Sequence, residues 1–233
     1  MNDLLSIMKR AREERRTVLT EFESKRILKG AGVPVVETKL ARNQKEAVSL
    51  SQKIGFPVVL KIVSPDVVHK TDAGGVKIDL GNVTEVRKAY NEILTSVRKQ
   101  YPHAVIHGIS VQKMARPGIE VIIGTSQDPQ FGPVILFGLG GLFVEVLRDV
   151  SFRIVPVGRR DAIEMIEEIK GYPLLKGYRG KEPVNLSVLV DMILKVSDLV
   201  RRNETIKELE LNPVFAYKQG ALAVDARILL KAE

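Results

Sequence analysis

The spacing of hydrophobic positions changes several times along the chain, and each change predicts an element. Leu4, Leu5, Ile7, Met8 and Ala11 recur at helical spacing, so residues 3–16 read as an amphipathic helix. Thr20-Glu21-Phe22-Glu23 has the form of a capping box that starts a second helix near Glu21; Gly30 to Gly32 end it, with Pro34 beyond. A short strand is expected at Val35–Leu40. Asn43 caps a third helix through about Ile54, stopped by Gly55 and Pro57. An apolar run from Val58 to Val63 and a second from Val76 to Asp79 read as strands, and Thr84 caps a helix to about Gln100.

Beyond residue 107 strands dominate. Ile109–Met114 and Ile119–Gly124 flank an Ala115–Gly118 turn, Val134–Phe137 follows a turn at Pro129–Gly132, and Gly138-Leu139-Gly140-Gly141 breaks that strand. Val150–Val157 is a further strand, and helices are expected over about 161–170 and 187–202. The chain closes with Ile206–Tyr217, a Lys218-Gln219-Gly220 turn and Ala221–Arg227. The pattern predicts an α/β protein with α+β subdomains: an N-terminal helix over 1–19, one subdomain over 20–106 and another over 107–233, sharing a cleft.

Two stretches carry candidate chemistry. In FPVVLKIVSPDVVHKTDAGGVKID, Lys61 interrupts an apolar strand, where desolvating an ammonium is costly unless an anion answers it. The loop that follows holds His69, one of three histidines, and ends at Gly74-Gly75. A cation on a strand, an imidazole nucleophile and a glycine pair that admits backbone amides to phosphate read together as a phosphoryl-handling device. Singly, an edge-strand lysine, a solvated histidine and a hairpin turn account for each. In ELELNP, alternation places Glu208, Glu210 and Asn212 on one face of a strand, with Leu209 and Leu211 on the other. Counting outward from Gln219 brings Asp225 opposite Pro213, one residue from Asn212. Hard oxygen donors at that separation suit Mg²⁺, and a polar outer hairpin face is the plain alternative. His103 and His107 have metal-ligand spacing, but Pro102 and Gly108 make them loop histidines.

Composition narrows the classes. The 233 residues are 45% hydrophobic and 27% charged, which suits a soluble globular protein. No apolar run reaches membrane-spanning length, no signal peptide is visible and cysteine is absent, so a cytoplasmic protein is expected. A net charge of +8 with only 5% aromatics favours anionic metabolites or an acidic partner over nucleic acid.

FPVVLKIVSPDVVHKTDAGGVK, GIEVIIGTSQDPQFGPVILFGLGG, ELELNPVFA and AVDAR together resemble the β subunits of ADP-forming acetyl-CoA synthetases, which have the ATP-grasp fold of two subdomains clamping a nucleotide. That resemblance implies ATP or ADP and Mg²⁺ as cofactors and a CoA-binding α subunit as partner, in an α₂β₂ assembly. It implies roles residue by residue. Lys61 contacts the nucleotide, with Gly74 and Gly75 near its phosphates. The backbone of Gln112, Lys113 and Met114 reads adenine, and Glu120 binds ribose. Asn212 and Asp225 hold Mg²⁺, His69 carries phosphate on a swinging loop between Ser64-Pro65 and Gly74-Gly75, and Glu210 orients the phosphohistidine. Another ATP-grasp ligase, succinyl-CoA synthetase β-like or using a diffusible acyl phosphate, and a nucleotide-binding module without turnover remain alternatives.

Overall fold

The computed structural model describes residues 2–67, 69–141, 148–180 and 182–232. The chain forms two compact units. One holds Thr20–Phe22 and Val36–Arg116. Its sheet is four-stranded and antiparallel, in the order β1 (Thr38–Ala41), β4 (Gly108–Lys113), β2 (Val58–Val63) and β3 (Val76–Leu80). Helices α3 (Gln44–Ile54) and α4 (Val83–Gln100) cover one face. Alternation sends Val58, Leu60 and Ile62 of β2 into that core with Val86, Ile93 and Val97 of α4. Asn43 caps α3 as expected, accepting from Glu46 N at 2.9 Å. Asn82, not Thr84, caps α4: its side chain accepts from Glu85 N at 3.0 Å, while Glu85 reaches back to Gly81 N at 2.6 Å. Two polar residues compete for that cap, and Asn82 stands three before the glutamate that completes the box.

The other unit holds the chain through Leu19, then Glu23–Val35, then everything from Pro117. Its six-stranded sheet runs β10 (Ala226–Leu230), β8 (Ile206–Tyr217), β5 (Ile119–Asp128), β6 (Gly132–Leu139) and β7 (Val150–Ile154), with β9 (Gly220–Ala223) also paired to β8. The core under this sheet takes Val121, Ile123, Ile135, Phe137, Leu209 and Leu211 from the strands. Against them pack α1 (Asn2–Glu13), α2 (Glu21–Gly30), α5 (Arg159–Glu168) and α7 (Leu186–Arg202), with the short α6 (Tyr172–Leu175) beside them. Ile7, Met8 and Ala11 of α1 are buried there, but Leu5, expected on the same face, is 64% exposed.

The boundary differs from the expected one. β4 lies just beyond the expected boundary, yet it pairs on both sides, with β1 and β2, so the chain changes unit after Arg116 rather than near residue 106. The first helix does not stand apart either, since α1 and most of α2 pack with the six-stranded sheet. Neither fact is local in sequence, and hydrophobic spacing does not report which strands pair.

Candidate functional site

In the four-stranded unit, β2 is buried along its whole length, including Lys61 at 7% exposure. Register places Lys61 opposite Ser110 and Val59 opposite Gln112, so Lys61, Ser110 and Gln112 share the face turned away from the apolar core of α3 and α4. Ser110 and Gln112 are themselves 2% and 1% exposed. The anion that answers Lys61 is Glu21, the first residue of α2: Lys61 Nζ donates to Glu21 Oε1 at 2.8 Å. Lys70 Nζ donates to the other oxygen, Oε2, at 2.6 Å. One buried carboxylate therefore joins the strand lysine to the residue next to His69. Sequence reasoning used Glu21 only as a helix start. A glutamate opening a helix signals favourable dipole placement, and nothing local points to a partner on β2.

The loop between β2 and β3 is fixed at two buried points, Val67 at 2% and Ala73 at 0% exposure. Asp66 accepts from Val105 N at 2.7 Å, and Ser96 of α4 donates to Ala73 O at 2.9 Å. His69, Thr71 and Asp72 are exposed between the anchors; Val68 lies outside the described residues. With both ends held, an arc of this length carries its tip within about 10 Å of the anchors. These buried points lie inside Ser64-Pro65 and Gly74-Gly75, the hinges expected from the sequence.

Gly74 and Gly75 have a steric reason that the sequence did not disclose. Gly74 sits at φ +65°, and a Cβ there would collide with Ser96. At Gly75 a Cβ would lie 2.6 Å from Ile62 Cγ2 and 2.9 Å from Lys70 O. Their amides are used in the turn as well: Gly74 N donates to Thr71 O at 2.9 Å and Gly75 N to Lys70 O at 2.7 Å. In this conformation the pair closes the loop with its own amides. Gly75→Ala is expected to cost about 1–3 kcal/mol by overpacking, read as a lowered urea midpoint with unchanged m-value.

Lys113 and Met114 also have local duties. Lys113 Nζ donates to the carbonyls of Gly55 and Phe56 at 2.8 and 2.7 Å, capping the C-terminus of α3, and Met114 N donates to Pro57 O at 3.0 Å. Of the expected adenine-reading stretch, Gln112 alone lies on the face of Lys61.

In the six-stranded unit, β8 alternates as expected: Leu209 and Leu211 are buried, while Glu208, Glu210 and Asn212 point to the face away from the core and are half-buried. The hairpin register differs by one. Tyr217 pairs with Gly220 and Val214 with Ala223, so the turn is the two-residue Lys218-Gln219. Leu211 pairs with Ala226, and the same register carried between these pairs sets Asn212 opposite Asp225. The return strand, expected to be continuous, breaks into β9 and β10 at Val224-Asp225. Ala226 N donates to Asp225 Oδ1 at 2.7 Å. Asn212 Nδ2 donates to Glu210 Oε1 at 3.1 Å, which turns Oδ1, the end a hard cation takes, the other way. An amide oxygen and a carboxylate facing each other across a hairpin, half-buried, fit Mg²⁺ that shares its remaining positions with water and phosphate. Among the described residues no group of three or more His, Cys, Asp and Glu is placed to hold a metal by itself.

Glu120 is exposed on β5 and lies over the glycine turn after β6: Gly140 N donates to Glu120 O at 2.8 Å, and a Cβ at Gly141 would come 2.8 Å from Glu120 Oε2. The Gly138–Gly141 run, read from sequence only as a strand break, is the glycine pattern that accompanies this carboxylate. No helix of the described residues is long and apolar enough to cross a membrane.

A family model described as ATP-grasp domain matches residues 10–230. The chain is 52% identical to the acetate–CoA ligase [ADP-forming] I subunit β of Pyrococcus furiosus over 96% of each chain. It superposes with TM-score 0.94, at 51% identity and covering 97% and 99% of the two chains, on the acetyl-coenzyme A synthetase 1 of Ca. Korarchaeum cryptofilum in complex with coenzyme A and Ca-AMPCP. Another structure of that protein, TM-score 0.92 and 49% identity over 98% and 100%, carries a phosphorylated phosphohistidine segment. The chain thus belongs to the ATP-grasp family and, within it, to the β subunits of the ADP-forming acetate–CoA ligases.

Proposed function

We propose that this chain is the nucleotide-side subunit of an ADP-forming acyl-CoA synthetase, which converts acyl-CoA, ADP and phosphate reversibly into acid, ATP and CoA. One observation carries the reading: the similarity to a chain named as a β subunit covers 96% of each, at 52% identity. The name also implies a partner. The loop between β2 and β3 holds no histidine besides His69, and the acyl chemistry falls to a CoA-binding α subunit, in an α₂β₂ assembly located in the cytoplasm.

The chain's own residues supply the phosphoryl relay. An imidazole nitrogen of His69 attacks the phosphoryl group presented by the partner; the P–N bond forms as the bond to the partner's carrier breaks. An oxygen of the ADP β-phosphate then attacks phosphorus, and imidazole leaves with its electron pair. Lys61 balances charge on the nucleotide, Gln112 lies on the same face, and Glu120 takes the ribose hydroxyls. Asn212 and Asp225 would hold Mg²⁺, whose charge offsets that of the transferring phosphoryl group. Glu210, whose Oε1 accepts from Asn212 Nδ2, is the residue given the role of orienting the phosphohistidine.

Affinity purification of the full chain from its source, with mass spectrometry, is expected to recover a CoA-binding subunit in equimolar amount. Acetate- and CoA-dependent ADP release from ATP is expected from the complex and not from this chain alone. Full activity of the isolated chain removes the two-subunit reading.

A further inference from the structure

Glu21 has the geometry of a switch. Its carboxylate is 5% exposed and spans two ammonium groups that would otherwise repel each other, Lys61 on a rigid buried strand and Lys70 on the loop. Lys70 is 21% exposed, so it is the partner that is able to leave. It also neighbours His69, and its carbonyl accepts from Gly75 N, which closes the turn. We propose that Glu21 and Lys70 form a charge latch on the His69 segment: the pair holds the segment while the imidazole is unmodified, and a phosphoryl group on His69 releases it by drawing Lys70 away.

The electrostatics give the direction. A phosphoryl group brings between one and two negative charges and several strong acceptor oxygens to the residue beside Lys70. Lys70 then has a further anion within reach, and the buried Glu21 carboxylate and the phosphoryl group repel each other. Lys61 stays with Glu21, so the carboxylate keeps a cation when the latch opens. The device makes segment release follow loading of the carrier. The release step rests on the carrier role of His69 proposed above; the holding step does not.

Amide hydrogen exchange of the full chain tests both. The readout is Ala73, Gly74 and Gly75, whose N–H groups donate to His69 O, Thr71 O and Lys70 O. Lys70→Met is expected to speed their exchange about tenfold, the scale of losing one partly buried ion pair. Lys70→Arg is expected to restore protection, which a role in packing alone would not give, and amides of β2 and β4 serve as the unchanged reference. Wild-type protein labelled with MgATP is expected to show the same acceleration, with no further change in Lys70→Met. Protection in Lys70→Met equal to wild type overturns the latch. Stoichiometric labelling with no acceleration overturns the release step. Failure of wild type to take label overturns the release step together with the carrier reading, and the Lys70→Met comparison then judges the holding step by itself.

Discussion

His69→Ala is expected to keep nucleotide binding and to abolish phosphoryl transfer to ADP. Binding survives because Lys61, Gln112 and Asn212 lie on strands, and Asp225 at the break between β9 and β10, none of which depends on the imidazole. Transfer fails because a carrier needs a nucleophile that is neutral near pH 7 and whose phosphoramidate is energetic enough to phosphorylate ADP, and imidazole combines the two. Exposure supports the assignment: His69 projects from an arc whose ends are pinned in the core at Val67 and Ala73, the construction a moving carrier requires. Incubated with labelled ATP and Mg²⁺, the wild-type chain is expected to acquire an acid-labile, base-stable label, and His69→Ala none. His103 and His107 lie outside the helices and strands and provide controls; alanine at either leaves labelling unchanged. Label that persists in His69→Ala, or that resides on serine or aspartate, rules out the relay.

What the sequence disclosed about this site divides along the line between local and distant relations. The β8 alternation is local, and Leu209 and Leu211 are buried with Glu208, Glu210 and Asn212 on the other face, as period-two spacing requires. The anion near Lys61 was also legible, because a buried ammonium demands one; its identity was not, because Glu21 lies 40 residues earlier. The hairpin was found but its register was off by one, since a glycine after Lys218-Gln219 reads equally well as the third turn residue or the first strand residue. Gly74-Gly75 shows a second limit of local reading. The glycines were noticed and given a role in phosphate approach, whereas the structure packs them against Ser96 and Ile62, residues whose proximity no local pattern encodes. β4 belongs with strands that precede it in the chain, which moved the boundary between units beyond Arg116.

Asp225→Asn is expected to reduce nucleotide-dependent turnover by on the order of 10²–10³ while the fold survives. The residue stands where the return strand breaks between β9 and β10, opposite Asn212, so the change removes charge without disturbing a ladder pair. Asparagine keeps an oxygen able to accept from Ala226 N, the contact that fixes this corner. It does not keep the negative charge. Asn212 is neutral and Glu210 is engaged with its amide, so Asp225 supplies the formal charge of the two-donor set. A hard cation that dehydrates reluctantly depends on that charge. The deficit is therefore expected to show as a rightward shift in the Mg²⁺ titration of turnover, partly recovered at high Mg²⁺, with the thermal midpoint near that of wild type. Wild-type turnover across the whole titration would remove Asp225 from the cation site and leave the ELELNP face as an ordinary polar surface of a hairpin.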